Sequence, residues 1–160
     1  MAKQVKTNAL RLLDKAKIKY ELKEYEYDED HLSGHHIIDQ VDLEAKQIFK
    51  TLVLQDNHHD YLVCCIPVLE EIDLKKLAKL AGKKNVEMIH QKDLLKVTGY
   101  IRGGCSPVGM KKKFPTYIDE SICTQEKVAF SAGKRGLQMV VSADEIIDFL
   151  QATTGNVVRN

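Results

Sequence analysis

Apolar positions along the chain change period several times, and each change predicts a switch between helix and strand. Apolar residues at intervals of three and four favour an amphipathic helix over residues 5–17. The next stretch, residues 20–27, alternates and is rich in tyrosine, which is typical of a strand. The apolar runs Ile48–Leu54 and Tyr61–Pro67 are separated by the polar residues 55–60, so they predict a hairpin with a longer loop.

Capping residues mark two further helices. Asp73 suits the N-cap of a helix over Leu74–Ala81, and Gly82 suits its C-terminal end. Ser142 and Glu145 are spaced as a capping box, so the last helix should begin there and run to about residue 151. The rest of the chain is predicted to hold a polar loop at 28–34, short helices near 36–41, from 42 and at 92–97, and strands at 86–89, 115–118, 127–131 and 137–141.

The order of these elements predicts an α/β protein of the α+β type. Several short, turn-linked strands fit a mixed, largely antiparallel, curved sheet, or a partly open barrel, with helices packed around it. A doubly wound parallel sheet fits them less well. No internal repeat or low-complexity linker is visible, so residues 1–160 are expected to form a single domain.

The composition is that of a globular protein with weak overall electrostatics. Apolar residues at 44% and charged residues at 29% are ordinary values, and the absence of Trp leaves aliphatic residues to build the core. A net charge of +1 argues against a broad nucleic-acid-binding surface and gives no reason to expect DNA as a partner. Basic clusters at 111–113 and 134–135 could still contact a few phosphates of an RNA.

The first residues and the cysteines both favour the cytoplasm. Residues 1–8 lack the apolar segment of a signal peptide, and no apolar run approaches the roughly 20 residues that cross a bilayer. No Cys-x-x-Cys pair occurs, so the cysteines are predicted to be small core residues without disulfides. They are Cys64, Cys65, Cys105 and Cys123. Neither a membrane nor a cofactor is expected.

Lys50 is the first candidate functional residue. Alternation along its strand puts Lys50 on the same face as Ile48, Leu52 and Leu54, where an ammonium is costly unless it reaches water or an anion. Two interpretations stay open. The side chain could extend along a strand end into solvent, or it could be a pocket lysine that holds a phosphate or a substrate carbonyl.

The glycine-rich loop of residues 99–109 is the second candidate. Gly103 and Gly104 allow positive φ and close approach of the backbone, so consecutive N–H groups could point into one cavity. Such groups could stabilise the oxyanion of a tetrahedral ester intermediate. The loop is not a Walker loop, because no Gly-Lys-Ser/Thr sequence precedes a helix. A tight structural turn is the alternative.

The turn Ser131–Gly136 is the third candidate. It brings a hydroxyl, backbone amides and the cations of Lys134 and Arg135 together between two predicted strands. This combination suits a phosphate or an RNA backbone. A solvated basic hairpin is the alternative.

Other kinds of site are poorly supported. Cys105 could be imagined as a nucleophile, but the sequence places no histidine to activate it. No Ser-His-Asp or paired-carboxylate arrangement is recognisable, although an activated aminoacyl ester could react through positioning and oxyanion stabilisation alone. The histidines match no standard metal-site spacing, so no metal is expected at His31, His35, His36, His58 or His59.

Five segments in this order resemble the YbaK/EbsC family of trans-editing proteins, and together they span most of the chain. They are Ile48–Val53, Asp73–Ala78, Lys84–Met88, Thr98–Gly109 and Ser131–Leu137. The family is related to the editing domain of many bacterial prolyl-tRNA synthetases, and its members remove the wrong amino acid from tRNA. A second, hydrolytic site is needed because an amino-acid-binding pocket cannot by binding alone strongly exclude a wrong side chain of similar size.

The resemblance implies a function and a set of site residues. The activity would be trans-editing deacylation of mischarged aminoacyl-tRNA, chiefly Cys-tRNA(Pro), with tRNA(Pro) and prolyl-tRNA synthetase as partners. Lys50 would anchor the terminal nucleotide, and the region of Gly103 and Gly104 would hold the scissile carbonyl. The thiol of the substrate could itself attack, leaving as a thiolactone. The other implied substrate contacts are Tyr25, Thr51, Cys105, Ser106, Pro107, Ser131, Gly133, Lys134 and Arg135.

Three residues depart from the family pattern and leave the substrate preference open. Ala132 stands where a glycine is usual, Cys105 where an aliphatic residue is commoner, and Gln138 where some relatives carry aspartate. Two alternatives therefore stay open. One is water-driven deacylation of another substrate such as Ala-tRNA(Pro), and the other is a non-catalytic protein that binds a nucleotide or an RNA end.

Overall fold

The structure, a computed structural model, describes residues 6–26 and 40–160. The α-helices in these ranges are α1 (Asn8–Lys15), α2 (Leu74–Ala81), α3 (Leu94–Thr98) and α4 (Ala143–Leu150). Short 3-10 helices cover Ala45–Gln47, Gln91–Asp93 and Glu120–Thr124. The strands are β1 (Tyr20–Glu24), β2 (Phe49–Asp56), β3 (Tyr61–Pro67), β4 (Val86–Met88), β5 (Thr116–Asp119), β6 (Lys127–Ser131), β7 (Leu137–Ser142) and β8 (Thr153–Gly155).

The strands form two sheets that meet at one bridge. Three strands are ordered β1-β7-β6, and five are ordered β4-β2-β3-β5-β8. The pairs of the first sheet and the pairs that β2 makes are antiparallel, whereas β3–β5 and β5–β8 are parallel. A parallel bridge between Ile48 and Ala129 connects the start of β2 to β6. The predicted mixed, largely antiparallel α+β architecture is confirmed, and the described strands do not close into a barrel.

The helix ends follow the capping residues that the sequence indicates. The Asp73 carboxylate accepts hydrogen bonds from the backbone N–H groups of Lys75 and Lys76, and Gly82 ends α2 in the left-handed conformation with φ of +70°. The Ser142 hydroxyl accepts from the Glu145 N–H at 3.3 Å and begins α4. Local side-chain chemistry is therefore sufficient to position both helices along the chain.

The core consists of three apolar clusters on different sides of the sheets. The largest packs α1 and α4 against one face of the β1-β7-β6 sheet and includes Leu13, Phe130, Met139 and Ile146. The second packs α2 against β2 and β3 and includes Leu54, Ile66 and Leu77. The third is small and lies where the two sheets meet, on the other face of β6 and β7. Its buried members are Tyr25, Val41, Ile48, Ala129 and Val140.

Several predicted boundaries need correction. The first helix begins at Asn8 rather than residue 5, because Thr7 caps it, and β1 ends at Glu24 rather than residue 27. The helix predicted from residue 42 is only the 3-10 turn Ala45–Gln47. Neither β8 nor the turn Glu120–Thr124 was predicted, because both are very short and carry no clear apolar period. The helix near 36–41 and the loop at 28–34 lie mostly or wholly outside the described residues.

The cysteines differ in environment more than the sequence suggested. All four are free thiols, and Cys64 and Cys65 are buried as expected. Cys105 is only partly buried, and Cys123 is exposed on the turn after β5, so the prediction of four core cysteines is wrong for Cys123. No helix in the described part of the chain is long and apolar enough to cross a membrane.

Candidate functional site

A row of polar side chains crosses one face of the β1-β7-β6 sheet. In the strand register Lys23 lies opposite Gln138, and Gln138 lies opposite Ser131. Two residues beyond the isolated parallel bridge of Ile48 with Ala129 come Lys50 on β2 and Ser131 on β6, and period two puts both on the face of the bridged residues, although the strands are not paired there. The fold therefore brings Lys50 and Ser131, which are far apart in sequence, to the same face.

Tyr25 belongs to the same face. Its side chain is buried in the third cluster with Ile48, Ala129 and Val140, each of which is two residues along its strand from a member of the polar row. The Tyr25 N–H donates to the carbonyl of Gly136 at 2.9 Å, which fixes the residue beside the turn between β6 and β7. Tyr25 is thus brought to the candidate site, where the small apolar cluster forms the floor.

The Lys50 ammonium is half-buried and carries no hydrogen bond or ion pair to any residue that the structure describes. Burial lowers the pKa of Lys50 below its ordinary value, and the negative charges of Glu71 and Glu70 oppose this only in part. On the same face, Leu52 and Leu54 pack under α2, as the alternation of β2 predicts. A cation in these surroundings is suited to an incoming anion or carbonyl oxygen.

The edge of β2 next to Lys50 is open. On this edge β6 pairs only at Ile48, and β4 begins to pair only at Leu54, with one further bond from the Ile89 N–H to the Val53 carbonyl. Between these points no described strand pairs with residues 50–52 on that side. Thr51 lies in this gap, with its hydroxyl 3.7 Å from the Cys65 sulfur. Among the described residues, no strand therefore covers the backbone beside Lys50 on this edge.

The glycine loop packs directly against the turn that follows β6. A Cβ built on Gly104 would lie 3.1 Å from the Arg135 nitrogen and 3.1 Å from the Lys134 carbonyl carbon, so any larger residue would push this backbone away by a few tenths of an ångström. The Arg135 Nε donates to the carbonyl of Arg102 at 2.8 Å. Two of the three predicted segments are therefore in contact, and this contact places the loop next to Ser131 and the row that contains Lys50.

The amide groups of the loop differ in availability. The Gly104 N–H already donates to the Ile101 carbonyl at 3.0 Å. The N–H groups of Gly103 and Cys105 make no hydrogen bond within the described residues, and Gly103 has φ of +86°. An oxyanion at this loop would therefore be met by the Gly103 and Cys105 amides rather than by the Gly104 amide.

The remaining residues of the glycine loop stabilise the loop itself. The Ser106 hydroxyl is fully buried and accepts from the Val108 N–H at 3.2 Å, and Pro107 is also buried. The Tyr100 hydroxyl donates to the Val108 carbonyl at 2.6 Å and closes the loop from its other side. Ser106 and Pro107, which the family resemblance implies as substrate contacts, are thus buried and stabilise the loop itself.

Cys105 is not chemically activated. Burial raises the pKa of its thiol to about 12, and a hydrogen bond with Thr98 lowers it only slightly. The described histidines are His58, His59 and His90, and all three are exposed. A thiolate nucleophile at Cys105 is therefore unsupported.

The turn after β6 presents the Lys134 cation outward and its hydroxyl inward. Ser131 is 8% exposed, and its Oγ accepts from the Gly133 N–H at 3.2 Å, which leaves the hydroxyl hydrogen for another acceptor. Gly133 has φ of +101° and lies close to the Tyr100 ring, so it holds the turn against the loop. The Lys134 side chain is exposed to solvent.

Gln138 is a candidate site residue that pattern reasoning alone did not identify. It is 4% exposed, and its Oε1 has no hydrogen-bond partner among the described residues. Its neighbours Leu137 and Met139 point to the large core on the other face. A polar residue between buried apolar positions of β7 was the available signal, but only the strand register shows that it joins the row with Ser131.

The structure gives no support for a metal site. Within residues 6–26 and 40–160 no group of His, Cys, Asp and Glu could hold a metal ion. His58 and His59 are exposed at the hairpin loop. His31, His35 and His36 lie outside the described residues.

Sequence comparisons show the family to which the chain belongs. The family model of the aminoacyl-tRNA editing domain matches residues 36–149, which include every residue of the candidate site except Lys23 and Tyr25. A protein of Enterococcus faecalis (strain ATCC 700802 / V583), EbsC, is 48% identical over 144 residues, 90% of this chain and 88% of that protein, and is named as a candidate Cys-tRNA(Pro)/Cys-tRNA(Cys) deacylase. A proline–tRNA ligase of Brachyspira hyodysenteriae is 28% identical over 78 residues, 49% of this chain and 14% of the ligase.

Solved structures share the fold over nearly the whole chain. The crystal structure of a hypothetical protein superimposes with a TM-score of 0.86 at 19% identity and covers 96% of this chain and 100% of its own. A candidate trans-editing enzyme for prolyl-tRNA synthetase superimposes with a TM-score of 0.82 at 20% identity, covering 98% and 100%. Since the family model spans most of the chain and EbsC is similar along nearly all of it, this chain belongs to the aminoacyl-tRNA editing domain family.

Proposed function

We propose that this protein deacylates mischarged aminoacyl-tRNA in trans, in the cytoplasm, and acts chiefly on Cys-tRNA(Pro). Membership of the editing-domain family and the similarity to EbsC support this substrate class. The observation that carries the proposal is the half-buried Lys50 ammonium, which has no partner in the described part of the chain and lies two residues beyond the bridge to β6, the strand whose following turn packs on the glycine loop. One positive charge and a set of adjacent amides suit a terminal nucleotide that carries an acyl ester.

In the proposed complex the protein binds and positions, and it supplies no nucleophile. Lys50 binds a phosphate or ribose oxygen of the terminal nucleotide, and the Gly103 and Cys105 amides face the ester carbonyl. As the carbonyl oxygen becomes negative these amides stabilise it, which lowers the barrier without a covalent enzyme intermediate. The protonated thiol of Cys105 agrees with this division of roles.

For a cysteinyl substrate the attacking group is proposed to be the substrate thiol. Its sulfur forms a bond to the carbonyl carbon, the bond from that carbon to the ribose oxygen breaks, and the thiol proton passes to the released ribose hydroxyl. The products are uncharged tRNA and a thiolactone, which water then opens to cysteine. The enzyme contributes the geometry that brings sulfur and carbonyl together.

Two alternatives differ from this proposal in measurable ways. Water as the attacking group would allow Ala-tRNA(Pro) as a substrate, because alanine has no thiol. A non-catalytic protein would use Lys50 and the turn with Lys134 and Arg135 only to bind an RNA end. Cooperation with prolyl-tRNA synthetase belongs to the proposal as well, since a net charge of +1 favours modest independent affinity for tRNA.

The test is a deacylation assay on tRNA(Pro) charged with cysteine, serine, alanine or proline. We expect rapid loss of the ester from Cys-tRNA(Pro), little from Ser-tRNA(Pro), in which a hydroxyl replaces the thiol, and none from Pro-tRNA(Pro). Equal rates for cysteine and serine would exclude attack by the thiol. Protection of the cysteinyl ester, with no hydrolysis at any enzyme concentration, would exclude the deacylase.

A further inference from the structure

A cavity outside the candidate site is lined by the last residues of the glycine loop, Pro107, Val108 and Gly109. Its volume is about 290 Å³, close to the lower limit of roughly 300 Å³ for small-molecule pockets. Its walls include Leu12 of α1, Phe149 of α4 and Phe114. Both phenylalanines are only partly buried, so their rings are accessible from the cavity. The space suits one flat aromatic group rather than an extended chain.

The rim of this cavity is basic. Lys111, Lys112 and Lys113 are exposed, and Lys112 and Lys113 line the cavity, whose lining contains no acidic residue. The Lys111 ammonium donates to the Lys96 carbonyl at 3.3 Å, and the Lys113 ammonium donates to the Gln151 side chain at 2.6 Å. No carboxylate within the described ranges pairs with any of the three. Their charge is therefore available to an anionic partner.

The cavity is connected to the candidate active site through one short segment. Pro107, Val108 and Gly109 line it, and Gly104 at the other end of the same loop packs on the turn beside Ser131. The four Cα–Cα steps from Gly104 to Val108 span at most about 14 Å. A short single-stranded RNA end could therefore reach both places at once.

Resting on the proposed function, we infer that this cavity binds an unpaired nucleotide near the 3′ end of the tRNA, upstream of the terminal adenosine. Its base stacks on Phe149, and Lys112 and Lys113 contact the flanking phosphates. Aromatic walls combined with cations that no carboxylate neutralises match a nucleotide in both shape and charge. A second copy of this chain fits poorly, because a symmetric contact would bring two lysine clusters together.

The experiment measures binding of an uncharged RNA minihelix with the acceptor stem and 3′ end of tRNA(Pro), carrying 2-aminopurine in the single-stranded end. The charge variant is Lys112→Gln with Lys113→Gln, and its matched control is Lys75→Gln with Lys79→Gln, two lysines of α2. Phe149→Leu tests stacking and keeps the residue apolar. Circular dichroism melts establish that each variant is folded.

We expect the Lys112/Lys113 variant to bind the minihelix roughly tenfold more weakly than the wild type. The slope of a plot of log K against log salt concentration should become shallower by about 1.4, which corresponds to the loss of two phosphate contacts on a single strand. The Lys75/Lys79 variant should change affinity less than about twofold. Phe149→Leu should abolish the quenching of 2-aminopurine and leave the salt slope unchanged. With aminoacylated tRNA as the substrate, the weaker binding of the Lys112/Lys113 variant should raise KM.

Three results would overturn the inference. Equal weakening by the control variant would mean non-specific attraction, unchanged affinity in both variants would exclude RNA at this cavity, and a lysine-dependent dimer in sedimentation would identify a second copy as the occupant. Failure of the proposed function is distinguishable. Wild-type protein that binds the minihelix through Lys112 and Lys113 but deacylates nothing would contradict the deacylase and leave this inference intact.

Discussion

At the scale of single residues, the site is recognisable because two polar groups are buried in places where their burial lowers the stability of the fold. Lys50 is partly desolvated without a partner in the described part of the chain, and Gln138 is buried with an unpaired oxygen. A buried polar group without a hydrogen bond destabilises a protein by about 1–3 kcal/mol. Their placement in one row with Ser131 is the reason to assign them to a ligand.

Alternation predicts the face of Lys50 correctly, but it cannot identify Gln138 as its companion. Lys50 stands out because a charge interrupts an apolar period within one strand, which is local information. The relation of Gln138 to Lys50 depends on pairing between β7, β6 and β2, and this pairing is set by contacts that are distant in sequence. The sequence therefore indicates one member of the pair from its pattern alone.

Replacing Gln138 with leucine should change the stability of the protein and its preference between substrates in opposite directions. We expect Gln138→Leu to raise the free energy of unfolding by about 1 kcal/mol, because it removes a buried unpaired oxygen. It should also reduce the ratio of kcat/KM for Cys-tRNA(Pro) to that for Ala-tRNA(Pro). Urea unfolding and the deacylation assay measure the two effects.

Gln55→Leu is the matched control for Gln138→Leu. The Gln55 amide on β2 donates to the His59 carbonyl at 3.0 Å, away from the polar row, so this change should leave the substrate ratio unaltered. A Gln138→Leu protein that is less stable, with unchanged discrimination, would show that the amide serves the fold alone.

The cysteines should differ strongly in reactivity. With its pKa raised to about 12, the Cys105 thiol stays protonated and should resist iodoacetamide between about pH 7 and 9, whereas exposed Cys123 should react like an ordinary thiol. Mass spectrometry of the alkylated chain measures both. Denatured protein, in which all cysteines react, is the control, and rapid alkylation of Cys105 in the folded protein would contradict its environment.

The same raised pKa values imply loss of stability in alkali. Burial holds the pKa of Cys64 and of Cys105 near 12, above the ordinary thiol value of 9.0. A folded-state pKa above the unfolded value favours folding fully below about pH 9, and the contribution is lost as the pH rises toward 12. Tm should therefore fall across that interval.

At the scale of secondary-structure elements, the site is made by contacts between loops that strands and helices hold in place. The glycine loop and the turn between β6 and β7 are both predictable from their glycines. Their contact is not predictable, because it depends on the missing side chain of Gly104 facing the backbone of Lys134 and Arg135. Helices with clear caps, α2 and α4, are predicted within about one residue, whereas β8, with three residues, gives too little pattern to recognise.

Gly104→Ala tests the contact between the loop and the turn. The added methyl would lie 3.1 Å from two backbone atoms that cannot move independently, so the two segments should separate. We expect deacylation to fall by roughly tenfold or more, since small misplacements of a positioning site can cost up to about 100-fold. Steady-state kinetics at saturating substrate measure this loss.

The control for Gly104→Ala is Gly82→Ala at the end of α2. Gly82 has φ of +70°, and no atom lies within 4 Å of the position that an added methyl would take, so this change should cost about 1 kcal/mol of stability through the backbone. It should leave deacylation at the wild-type rate. Equal activity of both variants would show that contact between the loop and the turn is irrelevant to the site.

At the scale of the whole molecule, the site lies where the two sheets meet. The order β1-β7-β6 joins strands from both ends of the chain, and the single bridge from Ile48 to Ala129 links them to β2. The class of fold is predictable from local patterns, but these non-local pairings are not, because no local residue pattern specifies them. The resemblance to the YbaK/EbsC family is what indicates, from the sequence, that these distant segments belong to one site.

The expectation of a single domain is itself a prediction at this scale. If residues 1–160 form one cooperative unit, far-ultraviolet circular dichroism and tyrosine fluorescence should report the same midpoint in urea. Tyr25 lies at the meeting point of the sheets and Tyr61 on β3, so both sheets carry a probe. Two separate transitions would contradict a single domain.

The most direct test of the account is the kcat/KM of Lys50→Met on Cys-tRNA(Pro), measured together with Tm. Lys46→Met, which removes an exposed lysine paired with Glu44, is the control. Because the Lys50 charge is desolvated and unpaired in the described part of the chain, methionine should leave Tm unchanged or raise it. We predict that kcat/KM falls roughly 100-fold or more, as expected when a charged hydrogen bond to the substrate is lost. Deacylation by Lys50→Met at the wild-type rate would contradict the assignment of this site.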